Sequence, residues 1–391
     1  MPNLLRRNPF SRRAAVGKPG FSPARQAGLA LLTLVLLAGL ARLLFPARPG
    51  AGGGGTTSIP SDGSDPNAYP PVFSAGRGAN GEPEVKLLAV GDLMLARGVD
   101  SMIGKHGLGY PLELVASRMA DADLTLANLE SPLGTRGHPL PRKGIWFRAR
   151  PEAVRILRQG GVDLVTLANN HILDYDTDNF LETLDLLRQN GVAYFGGGRN
   201  LEEARRPLVL RRKGLRIAFL GYSQFADLVF SWSYPRPFRA ADDRPGIAPM
   251  QDDLVLQDIA RARREADVVV VAYHWGDEYQ NLPTPDQVRL GRASIDAGAS
   301  VVLGFHPHAI QGLERYKGGL IAYSLGNFVM DQYDPVTLES MIVEMRLTRQ
   351  GVVDVQVTPV RIEGWRPRIL EGQEREWLGK KIARLSEQIG R

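Results

Sequence analysis

The stretch VVVVAYHWGDE, residues 268–278, decides how this chain is read. Its first six residues make a short apolar run of the kind that forms a strand. Its polar residues, His274, Asp277 and Glu278, arrive together where the run ends. The same order recurs along the chain. Apolar runs at Val85–Val90, Leu124–Ala127, Leu164–Ala168, Ile217–Leu220, Val268–Tyr273, Val301–Phe305 and Leu320–Leu325 alternate with segments of helical spacing at Pro151–Gln159, Phe180–Gln189, Leu254–Arg264 and Gln287–Ala297. Strands alternating with helices predict parallel βα units and an α/β fold.

Six of the seven runs are followed by unusual polar residues: Gly91-Asp92, Asn128-Leu129-Glu130, Asn169-Asn170-His171, His274–Glu278, His306-Pro307-His308 and Gly326-Asn327. In layered α/β folds ligands bind outside the carboxyl ends of the strands, so these clusters are expected to converge. Four of the six histidines lie in them, with carboxylates and amides, and that donor mixture suits Zn, Mn or Fe better than Ca or Mg. His306 and His308 are two apart, so on an extended segment both rings project to one side. Taken singly, each cluster has a plainer explanation. Asp92 reads as a helix N-cap, Asn169 and Asn170 as turn residues, and a lone histidine as a hydrogen-bonding group. Six coincidences at six strand ends weaken that explanation. His106 and His138 lack the context and are expected in loops.

The 391 residues, 43% of them hydrophobic, suffice for a large core. The formal charge is +6, yet the first fifty residues hold eight basic side chains and no acidic one. Beyond them 40 basic residues face 42 acidic ones, which leaves no basic footprint for nucleic acid. With no cysteine, disulfides, thiolate metal sites and a lipid-modified cysteine are excluded.

Four segments are expected. Residues 1–26 form a basic tail, and residues 27–45 an apolar stretch broken only by Arg42, close to a bilayer span. Basic residues before that stretch predict a signal anchor with its N-terminus in the cytoplasm; a cleaved signal peptide is the alternative, although no small-x-small site follows. Residues 46–83, rich in Gly, Ser, Pro and Asp, form a tether, and residues 84–391 an extracytoplasmic domain ending in an amphipathic helix over Gly372–Gly390.

The stretches GDLMLARGVD (Gly91–Asp100), ANLESPL (Ala127–Leu133), LANNHILDYD (Leu167–Asp176), YHWGDEY (Tyr273–Tyr279), GFHPHAIQG (Gly304–Gly312) and YSLGNFVMD (Tyr323–Asp331) resemble, in order, the motifs of the CapA family of poly-γ-glutamate capsule proteins. The resemblance runs from about Val85 to Glu363. It implies a four-layer α/β/β/α sandwich like that of the metallophosphoesterases, a membrane anchor, and a part in capsule synthesis or export beside other membrane proteins.

Carried over from the wider metallophosphoesterase pattern, Asp92 is a ligand of a first divalent transition-metal ion and Glu130 a bridging ligand. Asn170, His274 and His306 would bind a second ion, His308 would return to the first, and His171 would donate a proton to a leaving group. Where that pattern places a histidine two residues after the aspartate, this chain has Met94, a poor ligand for a hard dication, so one or two ions are expected. Arg97 is expected to hold an anionic polymer such as poly-γ-glutamate; Arg136, Arg142, Lys143 and Arg148 are either further contacts or solvated charges. Trp275 and Tyr279 are expected to pack the strand end. Two functions follow: a metal-dependent hydrolase or transferase on the polymer, or a non-catalytic polymer-binding subunit of a synthesis and export complex. A nucleotide phosphoesterase is a weaker third, resting on fold analogy.

Overall fold

The valines of the strand Val268–His274 are buried, as are all its other residues, because it runs through the middle of a six-stranded sheet. In this computed structural model, which describes residues 83–389 except Ser231, that strand pairs in parallel with Leu215–Ser223 on one side and Val301–Phe305 on the other. Gly319–Ala322 continues the parallel set, and the antiparallel strands Leu208–Arg212 and Leu313–Tyr316 close the two edges.

A second sheet of eight strands is mixed. Its parallel half runs Val85–Leu93, Leu124–Leu129, Leu164–Thr166, Ala193–Phe195. Its other half is an antiparallel meander, Glu339–Thr348, Gly351–Glu363 and Arg366–Ile369, joined to Val85–Leu93 through Glu339–Thr348. The expectation of parallel βα units therefore holds for the middle of the six-stranded sheet and for one half of the eight-stranded sheet, and not for the remaining strands. Asn327 does not simply follow a strand. It opens the short strand Asn327–Val329, which pairs with the end of Val85–Leu93, and the run expected to end at Leu325 stops at Ala322.

Alternation along the strands sorts the core. Val85, Leu87 and Ala89 share one apolar cluster with Ile217, Phe219, Val268, Val270, Val301 and Leu303, so the two sheets pack through these faces. Leu88 and Val90 point the other way, to Ile156, Leu157, Phe180 and Leu184 of the helices Val154–Gln159 and Asp176–Gln189. On the far side of the six-stranded sheet, Val269, Val271 and Val302 meet Val255 and Ile259 of helix Asp252–Glu265 and Leu290 of helix Pro285–Asp296. That last helix starts at a capping box in which Thr284 and Gln287 satisfy each other's backbone N–H. The C-terminal helix, Gly372–Glu387, buries Leu378, Ile382 and Leu385, as its amphipathic pattern predicts.

The basic tail, the apolar stretch and residues 46–82 of the tether lie outside the described residues. Among the described residues no helix is long and apolar enough to cross a membrane.

Candidate metal-binding pocket

Asp92, Asn128 and Asn327 sit in register on adjoining strands of the eight-stranded sheet. The approach of these strands requires glycine at position 91, where a Cβ would lie 2.0 Å from the Gly326 carbonyl oxygen. Asn128 locks the floor of the site: its amide donates to Asp92 at 2.8 Å and to Glu130, while its oxygen accepts from Asn169 Nδ2 at 3.0 Å. The two asparagines after the third strand divide their labour. Asn169 caps the turn, accepting the N–H groups of His171 and Ile172. Asn170 reaches across to the other sheet, with Oδ1 2.9 Å from His274 Nε2.

The six-stranded sheet supplies the opposite wall. His274 Nε2 is 3.8 Å from Glu130 Oε1, the His306 N–H points at Asp92 Oδ2 across 3.4 Å, and His308 Nδ1 is 3.6 Å from the same oxygen and 2.8 Å from Asn327 Oδ1. The strand-end clusters thus converge. Asp92 and Glu130 are fully buried, and His274, His306 and His308 are no more than 5% exposed. His306 and His308 hold left-handed backbone at φ 98° and 54°, a conformation costly for residues with a Cβ and common at ligand sites. Asp92 is part of a strand and caps no helix.

Burial sets the electrostatics. It pushes the Glu130 carboxyl well above its ordinary range, with Asp92 adding to the push, and raises Asp92 against the opposing pull of His308 and Asn128. Burial likewise drives His274 and His306 well below the usual histidine range, each further depressed by neighbouring imidazoles. Burial thus favours the neutral imidazole, the form that binds metal, at His274 and His306. Glu130 Oε1, His274 Nδ1 and His306 Nδ1 are buried without a hydrogen-bond partner. Such orphaned acceptors are costly in a folded protein unless something binds them, and the donor set of carboxylates and imidazoles fits a transition metal. Among the described residues two groups have ligand atoms within 4.8 Å of one another: Asp92, Glu130 and His274, and Glu278, His306 and His308. The grouping differs from the one the resemblance implies, which puts His274 with His306 and leaves Glu278 out. Met94 is buried in the apolar core, its sulfur accepting the Ala96 N–H at 3.1 Å.

His171 stands beside this cluster. Its Nδ1 is 2.8 Å from Asp174 Oδ2, which also accepts the Phe147 N–H, and Lys143 Nζ reaches Asp174 Oδ1 at 2.5 Å. Lys143 Nζ also stands 3.2 Å from Nδ1, but the Asp174 oxygen is nearer and is the acceptor of the pair, so Nδ1 donates to it and Nε2 is the free nitrogen. Phe147 stacks on the ring at 4.0 Å between centroids. Burial lowers the pKa to about 4 against the opposing effect of Asp174, with Lys143 lowering it further.

Other expectations are revised by what the side chains touch. Lys143 is 5% exposed and committed to Asp174, so it is not a surface charge. Arg97, 39% exposed, pairs with Asp331 and lies 4.5 Å over the Phe147 ring that stacks on His171. Arg148 lies over Tyr175 and donates to the Thr135, Arg136 and Gly137 carbonyls. Arg142 is exposed. Trp275 packs as expected, fully buried against Tyr273. Tyr279 does not: it is 46% exposed, its ring 6.2 Å from His308, because the turn after Gly276 carries it outward. His106 closes the helix Arg97–His106, where Val99 and Ile103 bury one face, and only His138 lies in a loop.

Sequence reading missed the support for His171. Asp174 stands three residues after it in the same motif, a signal that was there to be used; Lys143 is 28 positions away and carries none. Phe225, which packs 4.2 Å from His306, was equally silent.

Two walls from different sheets, meeting in buried histidines and carboxylates beyond the strand ends, define the class: a mixed α/β protein with a metal-suited pocket. The chain matches the bacterial capsule synthesis protein family PGA_cap over residues 86–332 and belongs to that family. It is 31% identical over 292 residues to the capsule biosynthesis protein CapA of Bacillus anthracis, covering 73% of this chain and 69% of that one. It is 32% identical over 275 residues to the PGA biosynthesis protein CapA of Bacillus subtilis, covering 70% of each. A putative 5'-nucleotidase from Staphylococcus aureus, solved with α-ketoglutarate, shares 14% identity at a TM-score of 0.44, covering 77% of this chain and 58% of that one.

Proposed function

We propose that this capsule-synthesis protein is a metal-dependent hydrolase or transferase acting on poly-γ-glutamate or a related anionic surface polymer. In this reading its two sheets and flanking helices take the four-layer α/β/β/α order of the metallophosphoesterases. Residues 27–45 anchor it in the cell membrane, with the domain outside and other capsule-synthesis membrane proteins as neighbours. The observation that carries the catalytic reading is the set of buried, unpartnered acceptors Glu130 Oε1, His274 Nδ1 and His306 Nδ1 in a single pocket.

Asp92, Glu130, Asn170, His274, His306 and His308 would hold one or two divalent transition-metal ions, Mn, Zn or Fe. A bound ion there would supply Lewis-acid polarisation of a substrate oxygen and a lowered pKa for water. The chain's own groups do the rest. Asp174 fixes the His171 tautomer and leaves Nε2 to move a proton between solvent or nucleophile and the leaving atom. Phe147 holds that ring flat and places Arg97 beside it, where the guanidinium can meet an anionic chain. The buried pocket excludes bulk water from Glu130 and His274, which strengthens each interaction within it.

One observation favours the rival reading, a non-catalytic polymer-binding subunit. Met94 occupies a position where the related enzymes carry a ligand, and its sulfur is spent on the Ala96 N–H. The two readings part on a direct assay: full-length protein incubated with poly-γ-glutamate, with polymer length followed by gel. Shortening or transfer that disappears in His274→Ala supports catalysis. Intact polymer, with binding retained, supports the scaffold.

A further inference from the structure

The turn after Val268–His274 is held more firmly than a surface turn needs to be. Gln224 brackets Gly276, accepting its N–H at 2.9 Å and donating to its carbonyl at 3.0 Å. Gly276 has φ 84°, and a Cβ there would meet the Gln287 side chain at 2.6 Å. Trp275 is locked below, its indole N–H donating to the Tyr323 carbonyl at 2.9 Å. Three residues after Gly276, the Tyr279 N–H donates to the Pro307 carbonyl at 2.7 Å, tying this turn to the one that carries His306 and His308. Glu278 lies between these fixed points. Its carboxylate comes within 4.8 Å of ligand atoms on both histidines.

We propose that Glu278 is a metal ligand, completing with His306 and His308 an ion site distinct from the one formed by Asp92, Glu130 and His274. The proposal rests on the reading of the pocket as a metal centre and goes beyond it in assigning this ligand. Three observations carry it. His306 is 3% exposed and its Nδ1 has no partner. His308 gives Nδ1 to Asn327, the supporting bond that commonly orients a ligating imidazole and frees Nε2. The Glu278 carboxylate brings the third donor, within 4.8 Å of ligand atoms on both histidines. Two imidazoles and one carboxylate form the three-ligand set that leaves a coordination position open to water or substrate. Glu278 is exposed, so this ion exchanges with solvent, whereas Asp92, Glu130 and His274 enclose theirs.

The test is titration of Zn2+ by calorimetry into chelator-treated full-length protein, wild type against Glu278→Gln and Glu278→Ala, with Co2+ absorption as a second report of the ligand field. Wild type is expected to bind two ions of unequal affinity. Both variants keep the tighter one, weaken the other by about 100-fold or more, and change the Co2+ spectrum. Thermal midpoints of the metal-free proteins coincide, because Glu278 is exposed. A second ion bound equally well by all three proteins overturns the assignment of Glu278 and leaves the metal pocket standing; so does a single ion insensitive to Glu278. A wild-type protein that takes up neither Zn2+ nor Co2+ overturns both.

Discussion

Asn170 Oδ1 meets His274 Nε2 at 2.9 Å, and this contact joins a loop of the eight-stranded sheet to a strand end of the six-stranded one. Neither sheet alone makes the pocket. Its geometry depends on how the sheets face each other through Val85, Leu87 and Ala89 against Ile217, Phe219 and Val270. Changes at the site therefore divide into those that remove a donor and those that misalign the sheets.

His171 and His274 bear different burdens. His171→Ala is expected to leave metal content near wild type and to lower polymer turnover by roughly 100- to 10,000-fold, the usual worth of positioned acid–base catalysis. His274→Ala should lose metal and activity together. Metal analysis beside rate measurement on the same preparations separates the two, and a metal-depleted His171→Ala would show that His171 is a ligand.

The pH response of the metal-free protein follows from burial. His171 has its folded pKa lowered from 6.5 to about 4, so the unfolded chain binds more protons between those values. Its contribution to stability is full above pH 6.5 and is lost as pH falls toward 4. His274 and His306 act in the same direction, while Asp92 and Glu130, raised by burial, oppose them. Comparison with His171→Gln isolates one group: between pH 7 and pH 4 wild type should lose about 3 kcal/mol more than the variant. Equal losses in the two proteins across that range would show that folding does not lower the His171 pKa.

Gly91 is a test of sheet alignment. Gly91→Ala places a Cβ 2.0 Å from a backbone oxygen that cannot yield cheaply, and should cost about 3 kcal/mol, the upper end for overpacking. Gly104→Ala, in the helix Arg97–His106 with open space around it, should gain roughly 0.5–1 kcal/mol from helix propensity. Denaturant midpoints of the two variants are expected to move in opposite directions.

Much of this was legible in the sequence, for a physical reason. Buried parallel strands read as unbroken apolar runs, so the polar residues that end them stand out, and His274, His306 and Asp92 were found that way. The antiparallel meander Glu339–Glu363 was not foreseen: no polar cluster marks its ends, and its contacts pair segments only through the chain's overall path. Lys143 illustrates the other limit. A lysine in a basic stretch looks solvated until the fold brings Asp174 to it, and neither its burial nor its partner is written locally. Glu278 lay in plain view within the His274–Glu278 cluster, but only the meeting of two turns gives it a role.

Residues 1–80 are expected to be dispensable for folding, since their Gly-, Ser- and Pro-rich composition before residue 84 cannot bury a core and the described strands run from Val85 onward. A chain starting at Gly81 should unfold in one cooperative transition. Reporter fusions at the C-terminus of the full chain are expected to be active only outside the cytoplasm, and activity inside it would reverse the proposed topology.

Whether the pocket is a metal centre is decided by elemental analysis of the purified full-length protein. At least one equivalent of Mn, Zn or Fe per chain is expected, lost in His274→Ala. A wild-type protein that holds no metal, takes none up on titration, and still supports polymer production would rule a metal centre out.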